Sequence, residues 1–77
     1  MRLFFHTRER GRFDQDDVGA EFASVDAARE EAVLSAREMM AARIVEGRPI
    51  NDIAFEISDA DGLVLLSFPW EDALVRV

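Results

Sequence analysis

From Val25 to Glu46 the chain runs 22 residues without a glycine or a proline, crowded with Ala, Glu, Arg and Met, and it stops at Gly47 with Pro49 just beyond. Ser24 ahead of it is a good N-cap, and Asp26 falls in the first turn, where it meets the positive end of the peptide dipoles. Those start and stop signals predict one helix of about six turns. In a chain of 77 residues that helix decides much of the rest, because the segments around it must supply the layer it packs on. One helix covers only one side of such a layer.

At about 100° per residue, Val25, Ala28, Ala32, Ala36, Met39 and Met40 fall on one stripe, widened on one flank by Val33 and Ile44. Alanines at successive four-residue steps leave a shallow groove that lets the helix axis lie close to a sheet. Ordinary core packing accounts for this stripe. Leu34, Ala41 and Val45 lie almost opposite, a thin second stripe of the kind that isolated surface apolar groups make.

The opening "RLFFHTR" favours a half-buried strand, with "ERG" as its turn. If Gly11 takes the left-handed position of a three-residue loop, Arg8 faces Arg12, Thr7 faces Phe13 and His6 faces Asp14. Leu3, Phe5, Thr7 and Phe13 then share one surface, and Arg2, Phe4, His6, Arg8 and Asp14 the other. "DQDDVG" is a second turn, followed by a short extended piece, Ala20 to Ala23. Beyond the helix "NDIAFEIS" alternates, with Ile53, Phe55 and Ile57 on one side. "DADG" then turns the chain. A two-residue Asp61-Gly62 loop pairs Ile57 with Leu66, Phe55 with Phe68 and Ile53 with Trp70, and a four-residue loop pairs Ile57 with Val64. Both put Val64, Leu66, Phe68 and Trp70 over the core. A three-residue loop with a bulge at Gly62 would bury Leu65, Ser67 and Pro69 instead, a poorer apolar match, since one register step swaps every face.

The expected fold is therefore α+β: β-hairpin, one long helix, β-hairpin, with a four-stranded antiparallel sheet under the helix and a single domain over residues 1–77. The side away from the helix would expose Phe4 and Leu65 unless something covers it. Phe4, His6 and Leu65, with Arg2 and Arg8 beside them, form the expected interaction surface, and the partner is expected to be a second copy or another protein.

Composition points the same way. A chain 49% hydrophobic and 32% charged is too apolar for disorder and too often interrupted by charge to cross a membrane. A core of this size rarely supplies more than about 3–5 kcal/mol, so natural domains this small lean on disulfides, a metal or an interface. Cysteine is absent, which removes disulfides and thiolate metal sites and leaves association as the remaining support. Arg2 directly after Met1, and charge soon after Phe5, make no secretory signal, so a cytoplasmic setting is expected. Nine basic residues, all arginine, against 16 acidic ones give a net charge of −7. Such a field repels phosphate backbones, and nucleic acid is not an expected partner.

Candidate chemistry is sparse. His6 is the only histidine, and the register above offers it Asp14, a pair more at home as a cross-strand contact than as a general base with its orienting acid. The acidic run Asp14, Asp16, Asp17, Glu21, aligned to a calcium loop, has Gly19 at the required sixth position. Val18 and Val25 fall where ligands are needed, so no metal is expected. Arg2, Arg8, Arg10 and Arg12 around Phe4 resemble a stacking platform for single strands, although arginines so close to acids more often bridge to them. No phosphate-cradling glycine loop occurs, and Ser24, Ser35, Ser58 and Ser67 lie in no nucleophile elbow. Neither a catalytic residue nor a cofactor is expected.

Taken together, "FFH", "D-x-x-G-x-E-F" at Asp16 to Phe22, "A-A-R-x-E-A" at Ala27 to Ala32, "A-R-E" at Ala36 to Glu38 and "I-S-D-A-D-G-x-V-L" before "F-P-W" resemble a family of small alphaproteobacterial proteins known as a domain of unknown function. That resemblance implies a bacterial setting and no activity. The layout, a hairpin followed by an Ala/Glu-rich helix, is also similar to that of antitoxin domains. The expected function is a non-enzymatic interaction module that self-associates through its open sheet face, with an antitoxin-like or nucleic-acid-associated regulator second and an enzyme centred on His6 third.

Overall fold

The computed structural model describes residues 1–74. Strand β1 (Arg2–Glu9) leads through a tight turn to β2 (Arg12–Asp14), a loop and β3 (Ala20–Glu21). Helix α1 (Val25–Val45) follows, then β4 (Ile53–Ser58), β5 (Val64–Pro69) and a single 3₁₀ turn, Trp70–Ala73. The sheet is antiparallel and has five strands, not four: the order is β2-β1-β4-β5, and β3 pairs with β1 through Arg2↔Glu21 and Leu3↔Ala20. The short extended piece before the helix is thus a strand of the same sheet.

The helix starts and stops where its signals place it. Ser24 Oγ accepts the Ala27 N–H at 3.1 Å, and Glu46 caps the other end before Gly47 turns left-handed at φ +71°. Ala28, Ala32, Ala36 and Met40 are buried against Leu3, Ile53, Phe55, Ile57, Phe68 and Trp70, with Phe5, Phe22, Val33 and Leu66 packed around them. Met39 and Ile44, expected on the covered stripe, are exposed. Ile44 lies on the flank shared with Val33, in the last turn of the helix; α1 leans toward β5 and the 3₁₀ turn, so Met39, on the flank toward β1, borders an open groove with Phe5, Phe22 and Phe55. At that margin Arg43 donates to both Glu9 carboxylate oxygens at 2.8 Å and lies 5.1 Å from the Trp70 ring centroid. Hydrogen bonding to Arg43 comes first in holding the Glu9 carboxyl below the usual carboxylate range, with burial opposing it. The buried Trp70 Nε1–H has no hydrogen-bond partner among the described residues.

Both hairpins differ from expectation in instructive ways. The first has a two-residue loop, Arg10-Gly11, with both residues left-handed at φ +47° and +82°, so Glu9 pairs with Arg12, Arg8 with Phe13 and Thr7 with Asp14. This type of turn matches the twist of the strands, and the register keeps Arg8 from facing Arg12. It also carries Phe13 to the open face. No helix reaches β2, whose three residues are all exposed, so the other face would have given that ring no better cover.

The second hairpin closes on three residues: Asp59 N–H donates to Leu63 O at 3.0 Å, and Gly62 is left-handed at φ +85°. Alone, this loop would bury Leu65 and Ser67. A register shift between Ile57 and Ser58 compensates, restoring Ile57↔Leu66 and Phe55↔Phe68. Covering a Leu and a Phe is worth about 1.5–3 kcal/mol each, enough to outweigh a local bulge. Val64 falls on the loop side of the shift, opposite Ser58, and is exposed, against expectation.

The close approach of helix to sheet yields a stability prediction. Ala32→Leu forces α1 off the strands and should lower unfolding free energy by about 1–3 kcal/mol. Leu34→Ala, on the outer face, should change it by less than about 0.5 kcal/mol. Chemical denaturation of the two variants checks both.

Candidate functional site

The outer edge of β1 is not paired along its whole length. β2 covers Thr7 to Glu9, β3 covers Arg2 and Leu3, and the stretch between meets a loop. There the Asp16 carboxylate takes the place of a strand: Oδ2 accepts the Phe5 N–H at 3.1 Å, while Oδ1 accepts the N–H groups of Val18 and Gly19 at 3.0 and 3.1 Å. Burial acts to raise the pKa of Asp16, but the Gly19, Phe5 and Val18 donors, with His6 nearby, outweigh it and hold the carboxyl below its ordinary value. Gly19 must be glycine for two reasons. Its φ is +69°, and a Cβ there would lie 2.8 Å from the Phe4 ring and 2.9 Å from the Leu3 carbonyl oxygen.

The Asp16 peptide N–H donates to His6 Nδ1 at 3.0 Å, and His6 Nε2 lies 2.8 Å from Ser58 Oγ. An N–H received at Nδ1 leaves the proton of the neutral ring on Nε2, which therefore donates to Ser58. The ring sits between Phe4, stacked at 6.4 Å, and Phe13, tilted at 5.4 Å. Phe4, His6, Gln15, Asp16, Asp17, Ser58, Asp59 and Gly62 surround a shallow cavity of about 170 Å³. "FFH", "D-x-x-G" and "S-D-A-D-G", far apart in the chain, thus meet in one place. Chemically the arrangement holds rather than activates. Ser58 is buried and faces a protonated nitrogen, so the ring is not placed to take its proton. Asp14, the expected partner of His6, instead lies opposite Thr7 and pairs with Arg12 at 3.2 Å. Among the described residues, no cluster of three or more His, Asp or Glu side chains is placed to hold a metal ion.

Phe4, His6 and Arg8 occupy the open face of β1, and Leu65 that of β5, with β4 between them. Phe4 and His6 are only half-exposed, because the Asp16–Gly19 segment folds over them. Arg8 pairs with Glu56 across the strands and lies 4.8 Å from the Phe13 ring centroid. Hydrogen bonding to Arg8 is the main cause that depresses the Glu56 carboxyl, with burial opposing it. Arg2 donates to Val18 O at 2.9 Å and lies 3.4 Å from Glu21, at the start of the strand. Phe13 joins this surface, and sequence reasoning placed it on the other one. Reading Arg10-Gly11 as a two-residue turn, prompted by the like-charge contact it avoids, would have found it.

The fold is thus a small α+β domain whose open sheet side is bound up by an Asp–His–Ser network at one end and left bare at the other. The chain belongs to the domain-of-unknown-function family DUF6894, whose model matches residues 2–70. No curated protein and no solved structure matches it. No helix among the described residues is long and apolar enough to cross a membrane.

Two substitutions test the network. Gly19→Ala adds a left-handed backbone penalty of about 1–2 kcal/mol to an overpacking cost of about 1–3 kcal/mol, and should destabilise by about 2–5 kcal/mol in denaturant melts. For Asp16, a folded pKa below the unfolded value means that its stabilisation is complete above about pH 4 and drains away as pH falls through the folded value. Asp16→Asn should therefore be less stable than wild type at neutral pH and lose less stability on acidification, so that the gap between the two curves narrows as pH falls through the folded value of Asp16. Parallel curves would contradict this account.

Proposed function

We propose that the protein is a non-enzymatic interaction module that pairs with a second copy of itself through the outer edge of β5 and the open face beside it. The observation that carries this reading is the make-up of that edge. β5 ends the sheet, bears no charged residue from Val64 to Pro69, and has no strand on its outer side among the described residues. Leu63, Val64 and Leu65 around it are 62%, 49% and 37% exposed. Edge strands are commonly protected by charge, proline or a cover. Here a bulge at one end and Pro69 at the other leave the middle open. Two such edges can pair antiparallel about a two-fold axis, an isologous contact in which each copy supplies the same residues.

Leu65 is central in this arrangement, while Phe4, His6, Arg2 and Arg8, two strands or more away, flank it. A nucleic-acid role has less support. Arg2, Arg8, Arg10 and Arg12 are engaged locally with Glu21, Glu56, Asn51 and Asp14, so these four make no free basic stripe. The tautomer of His6 likewise weakens the enzyme reading. The resemblance of the motifs to alphaproteobacterial chains supports a bacterial, cytoplasmic setting.

Light scattering with size-exclusion chromatography is the test. The wild type should be dimeric at high micromolar concentration and Leu65→Lys monomeric with its fold retained, whereas Leu34→Lys on the helix should leave the dimer intact. Because each copy carries −7, added salt should strengthen the dimer by screening repulsion, opposite to an interface held by ion pairs. A wild type that stays monomeric throughout overturns the reading.

A further inference from the structure

We propose that His6 is a proton-operated latch on the open sheet face: protonation at Nδ1 expels the Asp16 peptide N–H, loosens the Asp16–Gly19 segment over β1 and opens the cover of Phe4. The consequence for assembly rests on the association reading above; the latch itself does not.

Both ring nitrogens are committed. Nδ1 accepts from Asp16 N–H and Nε2–H donates to Ser58 Oγ. An imidazolium donates from both nitrogens, so a proton gained at Nδ1 points at the Asp16 N–H, and the two donors repel. The ring is poorly placed to turn aside. Phe4 and Phe13 flank it, and Ser58, which holds Nε2, is itself buried on β4. The loop is the softer side. Two bonds from Asp16 tie it to the middle of β1, the carboxylate to Phe5 N–H and the peptide N–H to His6; protonation removes the second and leaves the first, with the Arg2 bond to Val18 O, as hinges.

The charged groups around the ring come from each neighbouring element. Asp16 and Asp17 belong to the loop, Glu56 to β4, Asp59 to the hairpin, and Arg8 to β1 itself, where Glu56 holds it. An imidazolium released from the Asp16 N–H thus has carboxylates close by. Gly19 packs directly under the Phe4 ring, so movement of the segment changes the cover of that side chain.

The test is a pH titration of the full chain, from about pH 8 to about pH 5, followed by NMR. The carbon-bound imidazole protons report His6, and the amides of Asp16, Val18 and Gly19 report the loop. These amides should shift together with the imidazole signals. Exchange of the Asp16 amide, corrected for its intrinsic pH dependence, should rise by up to about tenfold as its bond is lost. In His6→Asn the side-chain oxygen can take the Asp16 N–H without titrating, so its loop amides should stay flat. Should that variant not fold, the coincidence of loop and imidazole titrations in the wild type decides alone. Loop amides unmoved while His6 titrates, or the same transition in His6→Asn, would overturn the latch. Light scattering over the same range separates the two readings: a loop that opens in a protein monomeric at every pH keeps the latch and removes the dimer.

Discussion

One carboxylate holds the left half of this fold together. β1 is the longest strand and needs a partner on both sides, yet the chain has only three residues of β2 and two of β3 to lay along its outer edge. The gap between them would leave the Phe5 N–H without a ladder partner. Asp16 fills it from its side chain while the same carboxylate turns its own loop through Val18 and Gly19. The device works with so little chain because a charged acceptor makes stronger hydrogen bonds than a carbonyl and takes several donors at once. It also explains why a glycine stands three residues on. The loop must pass close over Phe4 and the Leu3 carbonyl, where any side chain collides.

The second constraint is width. A helix with its side chains spans about 10–12 Å, and four strands about 4.8 Å apart span more. Alanines at 28, 32 and 36 let α1 settle close to β5 and the Trp70 turn, but closeness on one side leaves the other uncovered. At that margin the chain changes chemistry. The aliphatic core gives way to the Arg43–Glu9 pair against Trp70, and beyond it β2 has both faces in water. Phe13 and Met39 are exposed for this reason and not by any local preference.

The helix, the inward set Ile53, Phe55, Ile57 and Phe68, and the bare sheet face were legible because each follows from a local rule: capping, period-two alternation and one helix per face. The registers were not, since a hairpin loop is chosen by what it does to distant pairs. "ERG" alone permits a loop of two residues or three. What decides is the Arg8–Arg12 contact and the absence of a helix over β2. In the second hairpin the three-residue loop, expected to be the poorer match, and the expected core register coexist through a bulge. The role of Asp16 was hidden among four acids within eight residues. Its one distinguishing sign is the spacing to Gly19, which a metal-loop reading also claimed.

These constraints divide the open side of the sheet into two territories. Over β1 and β4 the polar groups have found each other: His6 with Asp16 and Ser58, and Arg8 with Glu56. A partner landing there would have to break satisfied bonds before gaining its own, and breaking a hydrogen-bonded contact leaves a desolvated group behind. Over β5 there is nothing polar to break except backbone groups and Ser67, and apolar side chains already stand in water. The association proposed above would therefore cost least at the β5 edge, and the proposed role of the His6 network is to adjust the surface beside that edge rather than to be the surface itself.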